Sequence, residues 1–189
     1  MSNYPDVPIL LPVTFEARGR TFVTDLELGG VMRRKAWAEP LYRIKLKHRL
    51  SSSDYMTLDN FFREVAEASA NAFTFTDPIS RAWTDVWVNT GDGSTGTFDV
   101  PGKGCSAYTV YIDGVGQTSG VDYLLTNGGG TDGRASIAFT SPPAAGERIS
   151  IDATMTRAWW CIFSRDKLTA QFGENDLATI AVELFEVRE

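Results

Sequence analysis

The chain is poor in the residues on which most enzyme and metal centres depend. Its 189 residues include one histidine, His48, and two cysteines, Cys105 and Cys161. A single histidine excludes a multi-histidine metal centre. Two cysteines make neither a disulfide scaffold nor a four-ligand zinc site. No apolar run reaches about 18 residues, so no transmembrane helix and no membrane insertion are expected. Met1-Ser2-Asn3-Tyr4-Pro5-Asp6 lacks the basic and apolar stretches of a secretory leader, so none is expected. Basic residues are also in deficit, 18 against 24 acidic ones, and the net charge of −6 excludes a generic nucleic-acid-coating protein.

What is present is unevenly spread. Residues 82–155 hold three basic and eight acidic residues, a net of −5, and 13 of the 17 glycines lie between Gly91 and Gly146. Residues 31–50 hold seven Lys/Arg and one acid, Glu39, a net of +6. Two compositions are present, one placed inside the other.

The pattern along the chain is mainly β. Residues 8–17 read as an extended arm or edge, since Pro8 and Pro12 do not suit a central strand. Arg20–Leu28 is a further strand candidate. Residues 31–50 read as a strand pair, Val31–Ala38 and Leu41–Leu50, interrupted around Pro40. In the second strand Tyr42, Ile44, Leu46, His48 and Leu50 face one way and Arg43, Lys45, Lys47 and Arg49 the other. Such alternation predicts a half-buried strand with a cationic face.

Ser51-Ser52-Ser53-Asp54 then offers helix N-caps. Tyr55, Leu58, Phe62, Val65 and Ala66 form one stripe, predicting a helix over about 53–69. Ala72–Thr76 reads as a short strand and Asp77-Pro78 as a turn. Beyond it, Asp92-Gly93 and Asp113-Gly114 are hairpin dipeptides among short strands at Thr97–Val100, Tyr108–Asp113, Tyr123–Thr126, Ala135–Thr140 and Arg148–Met155. Ala158–Ser164 and Leu177–Arg188 read as strands that rejoin the first sheet. The expected fold is therefore mainly β with one α-helix. A body of 1–81 plus 156–189 is interrupted by a glycine-rich β-sandwich module at 82–155.

These motifs, in this order, resemble the distal-tail (tail-tip or baseplate-hub) proteins of tailed phages, a family also found in gene transfer agents. The likeness rests on Tyr42-Arg43-Ile44-Lys45-Leu46, Leu58-Asp59-Asn60-Phe61-Phe62 and Ala72-Phe73-Thr74-Phe75-Thr76-Asp77-Pro78. It continues through Gly91–Phe98, Tyr108–Val115, Val121-Asp122-Tyr123, Ile137–Gly146, Ile149-Ser150-Ile151 and Leu184–Glu189. It covers about residues 31–189, and the N-terminal 30 match less clearly. The resemblance implies a tail-tube-like β-barrel or sandwich body and a hexameric ring. That ring would join the tail tube protein to a baseplate hub or other tail-tip proteins, with DNA only as passing cargo. It also implies a virion protein assembled in the host cytoplasm, where nothing favours a disulfide, and a structural role without catalysis.

The residues themselves leave other readings open. His48, in the apolar row of its strand, reads as a packed or interfacial histidine, because a catalytic base needs a partner and a pocket. Cys105 and Cys161 read as loop or core thiols, because a nucleophile needs a base or a helix N-terminus beside it. Gly91–Gly96 lacks the Gly-Lys-Ser/Thr ending of a phosphate loop. Asp92, Asp113, Asp122 and Asp132 are too dispersed for an EF-hand and read as turn formers. No catalytic residue, cofactor or metal site is therefore expected. The cationic row Arg33, Arg34, Lys35, Arg43, Lys45, Lys47 and Arg49 fits a solvated face or a subunit interface. DNA contact is the weaker reading, since no aromatic residues interleave there. Trp83, Trp87, Trp159 and Trp160 flank the module and are candidates for packing it against the body. They also keep open an alternative function, a carbohydrate- or host-receptor-binding module.

Overall fold

The structure is a computed structural model that describes residues 2–19, 21–25, 31–35 and 39–187, with backbone only for 21–25, 31–35 and Glu174. Along the chain the strands are β1 (Leu10–Arg18), β2 (Thr21–Asp25), β3 (Val31–Lys35) and β4 (Leu41–Leu50). Helix α1 (Ser52–Asn60) follows and runs into a π turn at Phe61–Val65. Next come β5 (Phe73–Thr76), β6 (Arg81–Thr90), β7 (Thr97–Asp99), β8 (Gly102–Ile112), β9 (Val115–Gly116), β10 (Tyr123–Thr126) and β11 (Ser136–Phe139). The long β12 (Arg148–Phe163), then β13 (Ala170–Phe172) and β14 (Ala178–Glu186), complete the order. The chain is mainly β, with one α-helix among the described residues. Among the described residues, no helix is long and apolar enough to cross a membrane.

Two compact units divide it: Thr76–Trp159, and Ser2–Phe75 with Trp160–Glu189. We call the first the inner unit and the second the body. The composition boundaries near 82 and 155 both lie inside the inner unit, and its C-terminal boundary falls within β12.

In the body, β4 is central. It pairs antiparallel with β1 on one side, as in Glu16↔Arg43, and with β14 on the other, from Ala178↔Leu50 to Phe185↔Arg43. The end of β12 adds to β14 through Cys161↔Glu186 and Phe163↔Leu184, and β13 pairs with the start of β14. Ile44, Leu46, His48 and Leu50 are buried while Lys45, Lys47 and Arg49 are exposed. The period-two alternation thus places the apolar row in the core. Ile180, Val182 and Leu184 of β14 join that core with Leu58, Phe61, Phe62, Phe73, Phe75 and Phe163. Each such side chain contributes roughly 1.5–3 kcal/mol on burial.

Two expectations are corrected here. Residues 31–50 do not form a strand pair: β3 pairs with β2, from Thr21↔Lys35 to Asp25↔Val31, while β4 pairs with β1 and β14. Alternation identifies the faces of a strand but not its neighbour. The helix expected over about 53–69 ends as an α-helix at Asn60. Ser51 caps it as expected, its hydroxyl accepting from the Asp54 N–H at 3.3 Å. Beyond Asn60 the backbone widens, and the Ala66 N–H donates to the Phe61 carbonyl at 2.9 Å, an i→i+5 bond. The widened turn buries Phe61 beside Phe62 and leaves Val65 exposed. Glu67 and Ala68 then turn to positive φ and stop the helix.

The inner unit is a small β-sandwich. One sheet has the order β6–β12–β8–β9 and the other β10–β11–β7. Val86, Val88, Val110, Ile149 and Ile151 from the first meet Phe98, Tyr123, Leu125 and Ile137 from the second in one core. Strand β6 (Arg81–Thr90) was not anticipated, because its polar Thr84, Asp85 and Asn89 weaken its alternation. Arg148–Met155 and Ala158–Ser164, read as separate strands, are one continuous β12.

Candidate functional site

The exposed face of the body sheet carries the residues singled out as a cationic row. Arg33, Arg34 and Lys35 lie on β3, and their side chains fall outside the described residues. The other four, Arg43, Lys45, Lys47 and Arg49, share the outward face of β4. The strands beside them partly neutralise this row. Glu16 of β1 pairs with Lys45 and, at 3.7 Å, with Arg43. Glu183 of β14 pairs with Arg43 and accepts from the Ser164 hydroxyl at 3.1 Å. The adjacent Arg43 guanidinium holds the Glu183 carboxyl below its ordinary range. Sequence reading missed Glu16 and Glu183, because cross-strand register decides which acid faces which base.

Two cations of the row are left over. Among the described residues, neither Lys47 nor Arg49 takes part in an ion pair, and neither do Arg165 and Lys167 beyond the end of β12. Lys45, Lys47, Arg165 and Lys167 line one groove of about 650 Å3 on this face. Its lining also includes Thr14, Thr169, Thr179 and Gln171, together with Phe163, Leu168, Ala181 and Val182.

His48 lies on the opposite, buried face of β4 and is fully buried. Its Nδ1 is 2.8 Å from the Pro8 carbonyl and its Nε2 2.9 Å from the Tyr4 hydroxyl. A carbonyl only accepts, so Nδ1 carries the proton and Nε2 accepts from the phenol. Burial pushes the imidazole pKa down and the Tyr4 phenol up, so His48 stays neutral and Tyr4 remains a donor. The Tyr4 ring packs among Phe61, Phe73, Phe75 and Phe163 with centroids 5.6–6.3 Å away. Both imidazole nitrogens are thus engaged in pinning the N-terminal segment.

The cysteines are buried. Cys105 Sγ lies 3.8 Å from Met155 Sδ, and burial pushes its thiol up to about 11. The Cys161 thiol is pushed well above its usual range, by burial first and by the Glu186 charge second. Neither environment favours thiolate. Asp92 caps the Gly91–Gly96 turn, accepting from the Ser94 and Thr95 N–H groups and from the Thr95 hydroxyl. Asp122 likewise closes its own turn on the Thr118 N–H. Among the described residues, no group of three His, Cys, Asp or Glu side chains is arranged to hold a metal ion.

Three of the four tryptophans, Trp83, Trp87 and Trp159, belong to the inner unit and Trp160 to the body. Trp83 and Trp159 meet edge to face at 5.7 Å. The guanidinium of the buried Arg157 lies 5.0 Å from the Trp83 ring and 5.2 Å from the Trp159 ring.

No protein-family model matches the chain, and a search of curated proteins found no significant match.

Proposed function

We propose that this chain is a structural protein of a phage tail, assembled as a ring at the distal end of the tail tube. In this reading it forms a hexamer, contacts the tail tube protein on one side and hub or tip proteins on the other, and leaves a channel through which DNA passes. It performs no catalysis, is made in the host cytoplasm and resides in the virion.

One observation carries the reading. The β-strand body is interrupted after Phe75 by a unit, Thr76–Trp159, that holds a complete β-sandwich, and β14 then returns to lie beside β4. That organisation accompanies the ordered motif set of the distal-tail resemblance. The chemistry agrees with a structural role. His48 spends both nitrogens on packing contacts, and both thiols sit where thiolate is disfavoured. The receptor-binding alternative draws no support from Trp83 and Trp159, which pack on each other and on Arg157.

Native mass spectrometry of the purified chain, with electron microscopy of tails bearing a labelled copy, tests the proposal. The expected result is a closed cyclic oligomer and label at the distal end of the tube. A strictly monomeric protein absent from purified particles would overturn it.

A further inference from the structure

We propose that the cationic groove on the body sheet is a docking site for an extended acidic segment of a different protein. The inference stands apart from ring assembly and needs neither a tail nor a hexamer.

The groove has the charge for it. Lys45 is partly answered by Glu16, but Lys47, Arg165 and Lys167 make no ion pair among the described residues. Three exposed cations around one concavity, in a chain of net charge −6, are a local departure from the whole. Glu183 is the one acid in the lining, and it is engaged by Arg43 and Ser164.

The spacing selects an extended ligand. Lys45 and Lys47 are alternate residues on one face of β4, about 7 Å apart along the strand. Alternate side chains of an extended peptide repeat at the same interval. Thr14, Thr169, Thr179 and Gln171 of the lining are polar partners for peptide groups between the charges. Leu168 and the exposed Ala181 give apolar surface for the methylene stems of glutamate.

A nucleic acid fits less well. Phosphates would find the cations, but a single strand gains much of its affinity from base stacking on exposed aromatic rings. Phe163 is the only aromatic residue in the lining, and it is buried. A second copy of this chain is a poorer occupant, since its acidic residues alternate at only two places, Asp25/Glu27 and Glu174/Asp176, and never in a longer run.

The test uses the full chain and a labelled peptide with glutamate at alternate positions, read by fluorescence anisotropy in low and high salt. We expect salt-sensitive binding that weakens about tenfold or more in Lys47→Glu/Lys167→Glu, beyond the loss of one exposed ion pair. Arg165→Gln should weaken it less. Arg63→Gln, on the π turn outside the groove, should leave it unchanged. All these positions are exposed, and circular dichroism with thermal melting confirms that each variant folds. Equal binding of the matching glutamine peptide would overturn the proposal. So would tighter binding of oligo-dT than of the peptide, unchanged affinity in the double variant, or displacement of the peptide by self-association of the chain.

Discussion

Replacing His48 by glutamine removes the only imidazole in the chain, which makes its pH signature attributable to one group. In the folded state the ring is fully buried, donates to Pro8 and accepts from Tyr4. Its pKa is therefore lowered from 6.5, chiefly by desolvation. In the unfolded chain it titrates normally. Between the two pKa values the unfolded state binds more protons, so stability is complete above the unfolded value and is lost as pH falls toward the folded one. Because the folded pKa is lowered, stability falls as pH drops from 7 to 5.5, by at most about 1.2 kcal/mol for one such group. Urea unfolding at several pH values across that window measures it. His48→Gln should be about 1–2 kcal/mol less stable at pH 7, since the Tyr4 and Pro8 partners are no longer well matched, and should lack this slope. Equal slopes in the two proteins, or a flat wild-type profile, would refute the assignment of a buried neutral imidazole.

Two further predictions concern the inner unit and the thiols. A Cβ on Gly91 would lie 2.3 Å from the Ala144 carbonyl oxygen and 2.9 Å from that of Pro143, both backbone atoms. Hydrogen bonds from the Gly91 N–H to Glu147 and from the Gly146 N–H to the Gly91 carbonyl hold that backbone in place. Gly91→Ala should therefore cost about 1–3 kcal/mol, read as a lower thermal midpoint, and an unchanged midpoint would count against the close approach. A thiol-reactive dye at pH 8 should label the native protein slowly and both cysteines promptly in guanidinium, because each is buried with a raised thiol pKa. Fast native labelling at either position would contradict this.

Much of the fold is legible where one periodicity dominates. In β4 the alternation of Ile44, Leu46, His48 and Leu50 with Lys45, Lys47 and Arg49 predicts both the strand and its buried face. The turn dipeptides predict a β-rich segment between Gly91 and Gly146 in the same way, through local chemistry. Long-range pairing is not local and stays hidden. Nothing in Val31–Lys35 indicates that its partner is Thr21–Asp25, and nothing in Glu16 or Glu183 indicates that they flank Arg43. The helix shows a third limit, because one added residue per turn after Asn60 exchanges Phe61 for Val65 on the buried side. The groove was half legible. Lys45 and Lys47 belong to the cationic row, but Arg165 and Lys167 lie in a polar connection, and only the tertiary fold brings them to the same wall.

The return of β14 to β4 also sets an order of events during synthesis. The Tyr42 N–H donates to Glu186 Oε2 at 2.7 Å across 144 positions of sequence. When β4 leaves the ribosome, its principal neighbour has not been translated, whereas every strand of the sandwich lies between them. The sandwich can therefore close on nearby contacts while the apolar row of β4 waits with one edge open. Such delayed, non-local pairing is slow and leaves intermediates prone to association. The alternating lysines and arginines on β4 blunt that edge during the wait, because like charges on two unfinished chains oppose strand-to-strand pairing.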